Sequence, residues 1–189
     1  VVAEQQRSRG RAVVRQRHEG PERRERRHAR EVAARRGHGA LAEAVVIGRR
    51  PDAWAINPRF RTGLAGYNLW AESLEAGKAN RDGQTYNNQT WLECRRMAVE
   101  FLKEARQRLP GRFEGEFDEA IAHYTVVRDA LAELLEMIPQ RGENPDFSPE
   151  LLQPCPEGAN LIRRAAAAER LGIECLEEIV KTLEKGEIL

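Results

Sequence analysis

Beyond residue 58 the apolar positions of the chain recur with a helical period. In "RTGLAGYNLWAESLEAG", Leu64, Tyr67, Ala71 and Leu74 fall at i, i+3, i+7 and i+10, with Trp70 beside them. That spacing lines one face of a helix. Gly77 is the expected stop, and "KANRDGQ" reads as a turn-rich connection. A second helix is expected from about Thr85 to Leu109. Asn87, Trp91, Cys94, Ala98, Phe101, Ala105 and Leu109 form its apolar stripe. Asn87 lies in the first turn of that helix, where free backbone N–H groups need acceptors, so its side chain is the expected cap. Glu93, Arg96, Glu100, Lys103 and Glu104 fall mostly on the other side as i,i+3 and i,i+4 charge pairs.

A third helix is expected over about Phe113 to Ile138. Its seam is Phe117, Ala120 with Ile121, Tyr124, Val127, Leu131, Leu134 with Leu135, and Ile138. "PQRGENPDFSPELLQPCPEG" follows and holds five of the nine prolines, which excludes continuous helix there and leaves one turn at "SPELL". The last helix is expected from Pro156, a favourable first-turn residue, to about Lys185. Leu161, Ala165, Ala168, Gly172, Cys175, Ile179 and Leu183 form its stripe, and the small residues at 165, 168 and 172 admit a close neighbour. No segment sustains strand alternation. The fold class is therefore all-α, an antiparallel bundle of about four helices over residues 58–189.

Residues 1–57 have a different character. The first 50 carry fourteen arginines, no lysine, no aspartate and six glutamates, a net +8, which leaves −7 of the overall +1 for the remainder. All eleven aromatic residues lie beyond position 53. With little to bury, the segment reads as an arginine-rich, largely disordered tail with a helix allowed over Pro21–Arg36 and a short apolar piece at "EAVVI". A second reading is a basic arm that binds nucleic acid or acidic partners through residues 1–50. A third is a non-native reading frame: arginine, glycine, alanine and histidine without lysine or aromatics is what GC-rich DNA yields out of frame, and the chain begins with Val1. A chain starting near Pro58 is expected to fold on its own.

The three cysteines, Cys94, Cys155 and Cys175, are odd in number and far apart, which opposes a disulfide framework and fits a reducing cytoplasm. No apolar run approaches the ~18–20 residues that span a bilayer, and no leader is visible. His18, His28 and His38 turn by about 80° from one to the next on a helix, so no metal site is read there. A glycine-rich phosphate loop, a His/Cys/Asp ligand cluster and a serine elbow are all missing from the pattern. No cofactor is expected.

Cys94 and His123 are the one nucleophile–base pair to test, since they lie on adjacent expected helices. Mid-stripe, Cys94 reads instead as a small buried hydrophobe. Tyr67, Trp70, Tyr86, Asn87 and Trp91 come from the end of one helix, the connection and the start of the next. If those helices fold back, the five side chains lie together, either as an aromatic plug or as a pocket. As a plug, Trp91 would anchor the bundle.

The run "FRTGLAGYNLWAESLEAG … YNNQTWLECRRMAVEFLKEA … FDEAIAHYTVVRDALAELLEMIP … LIRRAAAAERLGIECLEEI" resembles the helical C-terminal part of bacterial proteins related to butirosin-biosynthesis protein H, which are similar to papain-like, double-glycine-type cysteine peptidases. Gly63-Leu64, Tyr67, Trp70, Tyr86-Asn87, Trp91, Glu93, Arg95-Arg96, Phe101-Leu102 and His123-Tyr124 carry the resemblance over about residues 58–185. It implies a helical companion to a papain-like catalytic domain that this chain does not contain. No catalytic residue carries over, because the preceding arginine-rich segment has no cysteine. The expected function is a non-catalytic domain of a peptidase-like or acyltransferase-like protein, acting by packing or by shaping a pocket. The candidate binding residues are Tyr67, Trp70, Tyr86, Asn87, Trp91, Glu93, Arg96 and His123.

Overall fold

The computed structural model describes residues 21–52, 60–109, 111–138 and 151–185. Five helices carry the fold: α1 Pro21–Arg49, α2 Gly63–Glu75, α3 Arg81–Arg108, α4 Glu114–Met137 and α5 Pro156–Glu184. A 3-10 turn, Gly111–Phe113, leads into α4. No strand occurs among the described residues, only an isolated antiparallel bridge between Asn80 and Leu151. The expected turn at "SPELL" lies largely outside the described residues.

α5 is the spine of the bundle and packs against α4, α2 and α1. Its buried positions, from Gly158 through Ile162, Ala165, Gly172, Leu176 and Val180, follow the helical period. Cys155 caps it, the thiol Sγ accepting from the Gly158 N–H at 3.4 Å, and Pro156 occupies the first turn. Gly172 matters for packing: a Cβ there would stand 2.8 Å from Tyr124 Cε2, so α4 and α5 approach where a side chain is missing.

Two apolar clusters show how the helices run. One joins Leu92 of α3 to Leu131 and Leu134 of α4 and to Ala159 and Ile162 of α5. The other joins Leu102 of α3 to Phe117 and Tyr124 of α4 and to Leu176 and Ile179 of α5. The start of α3 thus meets the end of α4, whose own start meets the end of α5, so neighbours are antiparallel. The end of the proline-rich connection is tied back to the α2–α3 corner: Leu152 N–H donates to the Ala79 carbonyl and Cys155 N–H to the Leu74 carbonyl, both at 2.9 Å.

Two sequence expectations need correction. Among the described residues the helices number five, because the arginine-rich segment is helical from Pro21 to Arg49 and its last turns join the bundle. Leu41 is fully buried in the second cluster with Ala42 and Val45 packed alongside. Arg49 forms a bidentate pair with Glu177 at 2.8 and 2.9 Å. The leucine and the glycine at 48 are what the basic composition concealed. The second correction concerns α3, which begins at Arg81, inside the stretch read as a connection. Asn80 is the cap, its Oδ1 accepting from Gly83 N–H at 2.9 Å, and Asn87 is an exposed residue within the helix body. The buried positions are Gln84, Asn88, Leu92, Val99, Leu102 and Ala105. Cys94 and Phe101 are exposed. The stripe is turned by about one residue, roughly 100°, because the inward face carries amides that an apolar count passes over.

Leu41→Ala should destabilise the chain by about 2–5 kcal/mol, as in a packed core, while Val46→Ala on the exposed side of the same helix should change it by less than about 0.5 kcal/mol. Denaturant melts of the two variants measure this; equal effects would place α1 outside the core. Gly63 has φ +54°, and a Cβ there would meet the Gly48 carbonyl oxygen at 2.2 Å. Gly63→Ala should therefore lower the melting temperature by several degrees through both strain and collision.

Candidate functional site

The site lies where α2 and the start of α3 fold back on each other. Tyr67 and Trp70, one turn apart on α2, and Trp91 on α3 converge there. The Tyr67 and Trp70 rings stack at 6.4 Å and 18°, and Trp91 tilts against Tyr67 at 5.6 Å and 58°. These rings wall a cavity of about 480 Å³, within the ~300–1,000 Å³ range of small-molecule sites. Gln84, Asn87, Asn80 and Ser73 supply polar groups, Lys78 and Arg61 supply charge, and the exposed Phe60 and Leu69 extend the apolar rim.

Beneath the rings is a buried ionic network. Arg95 on α3 donates two hydrogen bonds to Glu169 on α5, Nε to Oε2 and Nη2 to Oε1, both at 2.7 Å. Tyr67 Oη donates to the same Oε2 at 3.2 Å. The Arg95 guanidinium lies 4.7 Å from the Trp91 ring centre and 5.8 Å from that of Tyr124. Burial and the nearby Glu169 carboxylate hold the Tyr67 hydroxyl above its ordinary pKa, against the pull of Arg95. Burial works against the charge on Arg95, but the bidentate Glu169 carboxylate more than offsets it, so the guanidinium stays charged. The Trp91–Tyr67 wall therefore rests on a charge pair largely withdrawn from water.

The polar handles of the wall are already engaged. Tyr67 Oη is on Glu169, and Trp70 Nε1–H donates to Gln84 Oε1 at 2.5 Å. That bond fixes the orientation of the Gln84 amide, since the indole can only donate. Gln84 Nε2 is buried without a hydrogen-bond partner among the described residues. One turn further along α3, Asn88 is fully buried and neither of its amide atoms is bonded among the described residues.

Of the residues singled out from sequence, Tyr67, Trp70, Asn87 and Trp91 line this one cavity. Tyr86 projects into solvent, 70% exposed, and is not in the wall. Glu93 and Arg96 are exposed and face each other in a loose ion pair at 3.7 Å. His123 is half-buried on α4, on the side that faces Gly172. No hydrogen bond joins it to Cys94, whose thiol is on the outside of α3 rather than in the core. Among the described residues no group of three or more His, Cys, Asp or Glu is placed to hold a metal ion, and no helix is long and apolar enough to cross a membrane. Trp91 is half-buried, so it is a wall residue more than an anchor.

Gln84, Lys78 and Glu169 are absent from the sequence reading, and Arg95 enters it only among the residues that carry the resemblance. Glu169 had a readable signal: it falls on the buried stripe of α5 between Ala165 and Gly172, a lone carboxylate among small residues. No protein-family model, curated protein or solved structure matches the chain.

Three outcomes are expected. Glu169→Leu leaves Arg95 buried and unpaired and should cost about 3–5 kcal/mol, whereas the Arg95→Met/Glu169→Leu double variant should recover much of the loss; chemical denaturation of the full cycle measures it. Trp91→Ala should cost less than the ~3–5 kcal/mol of a fully buried tryptophan. A thiol reagent should modify Cys94 first and Cys175 slowly, because burial and the neighbouring Glu119 raise the Cys175 pKa; mass spectrometry of partly labelled protein gives the order.

Proposed function

We propose that this chain is a non-catalytic helical domain that works by shaping a binding pocket. The observation that carries the reading is the convergence of Tyr67, Trp70 and Trp91 with the Gln84 amide on one cavity between α2 and α3. A large apolar recess with a few convergent polar groups is the usual form of a small-molecule site. Cys94, the residue best suited to nucleophilic chemistry, stands exposed on α3 with no hydrogen bond to His123, which favours binding over catalysis. The resemblance to the helical part of peptidase-like proteins supports a companion role, with a papain-like catalytic domain as the partner that uses the pocket.

The reading is tested by recording backbone and indole N–H shifts of isotope-labelled protein against a set of small aromatic compounds. Binding should perturb the Trp70 and Trp91 indoles together with Gly83, Gln84 and Asn87. In Asn87→Trp, which adds bulk at the mouth from an exposed position, the perturbations should vanish while the fold persists. Shifts scattered over other surfaces, or none, would overturn the pocket reading.

A further inference from the structure

The chemistry of the wall narrows the ligand class, provided that the pocket reading holds. Phe60, Tyr67, Trp70 and Trp91 present ring faces and edges, and the Tyr67 hydroxyl and Trp70 indole N–H are already committed inside the protein. They offer a ligand apolar, planar surface and no hydrogen bonds. Stacking between aromatic groups contributes beyond area burial, so a flat aromatic body fits this wall best.

Polarity is set by three further observations. Gln84 is only 4% exposed, lines the cavity, and has its Oε1 on Trp70, so its Nε2–H₂ is a buried donor without a partner among the described residues. A buried donor left unbonded is costly, and a ligand acceptor removes that cost. Second, among the described residues of the lining Lys78 and Arg61 are the charged ones, and no carboxylate stands with them. Arg61 donates from Nη1 to the Phe60 carbonyl. Lys78 is exposed and has no ion pair among the described residues. Third, Asn80 and Gly83 in the wall mark the N-terminus of the 28-residue helix α3, whose macrodipole presents its positive end there. Asp82 in that first turn is exposed and does not line the cavity.

An aromatic enclosure can instead hold a cation by its ring faces. Here that role at Trp91 is already taken by Arg95, at 4.7 Å from the ring centre. Lys78 would repel a second cation. We infer that the cavity between α2 and α3 binds a planar aromatic anion, an aryl carboxylate or a group of like charge. Its ring would lie against Trp70, Tyr67 and Trp91, and its acidic group would accept from Gln84 Nε2 and pair with Lys78.

The test uses three ligands of one shape with the full chain: 2-naphthoate, its neutral amide 2-naphthamide, and the cationic naphthalen-2-ylmethylammonium. Titration calorimetry gives the affinities, and the Trp70 and Trp91 indole shifts report the place. Naphthoate should bind at least tenfold more tightly than the amide, a difference of about 1.4 kcal/mol. The ammonium compound should bind most weakly. Lys78→Gln, at an exposed position, should bring naphthoate and naphthamide to within about threefold of each other. If the amide or the cation binds at the same indoles as tightly as naphthoate, the anion inference is overturned while the pocket reading stands. If none of the three perturbs those indoles, both are overturned.

Discussion

The bidentate pair between Arg95 and Glu169 is the constraint on which the rest of the structure depends. Both side chains are nearly withdrawn from water, with 15% and 6% of their surface exposed. An unpaired charge in that position is far costlier than any single apolar contact nearby. The pair therefore fixes the register of α3 against α5. It also fixes α2, because Tyr67 donates to the same carboxylate, and it touches α4 through the Tyr124 ring. Four helices meet at one ionic contact. A buried ion pair adds little net stability compared with apolar groups of equal size. What it does here is exclude alternative registers, since a slip of one residue on α3 would strand both charges.

The cavity follows from that register. Tyr67 stands on Glu169, Trp70 stacks on Tyr67, and Trp91 is held between Tyr67 and Arg95. Gln84 then receives the Trp70 indole N–H and keeps its own amide N–H₂. Tyr67 and Trp91 are thus positioned by Glu169 and Arg95, neither of which is among the described lining residues. The α2–α3 corner is tied down independently, by the Asn80 cap and by the backbone bonds from Leu152 and Cys155. A pocket built this way is largely formed before anything enters it, which reduces the ordering cost of binding.

Much of this was legible in the chain, for identifiable reasons. α4 and α5 were readable to within a residue or two because their inward faces are almost wholly apolar or small, as at Val127, Leu131, Ala165 and Ile179. The aromatic cluster was readable because Tyr67, Trp70 and Trp91 flank a short connection. The face of α3 was misread because Gln84, Asn88 and Arg95 point inward where polar residues ordinarily point out. Cys94 and Phe101 then looked like core. The N-terminal boundary was misplaced for the opposite reason: Leu41, Ala42, Val45 and Gly48 make an inward face of only about two turns at the end of an otherwise basic helix. In both cases what escaped was pairing across long sequence separations, 74 residues for Arg95–Glu169 and 128 for Arg49–Glu177.

The central claim is that the ionic contact on α5 holds the aromatic wall on α2 and α3. Hydrogen exchange of the Trp70 indole N–H tests it most directly, because that proton lies at the far end of the chain Glu169–Tyr67–Trp70–Gln84. In the parent protein it should exchange slowly. In Glu169→Gln, compared under conditions where the variant remains folded, its protection should fall by much more than that of amides around Phe117 and Ile179 in the second cluster. Unchanged protection at Trp70, or an equal fall across both clusters, would contradict the account.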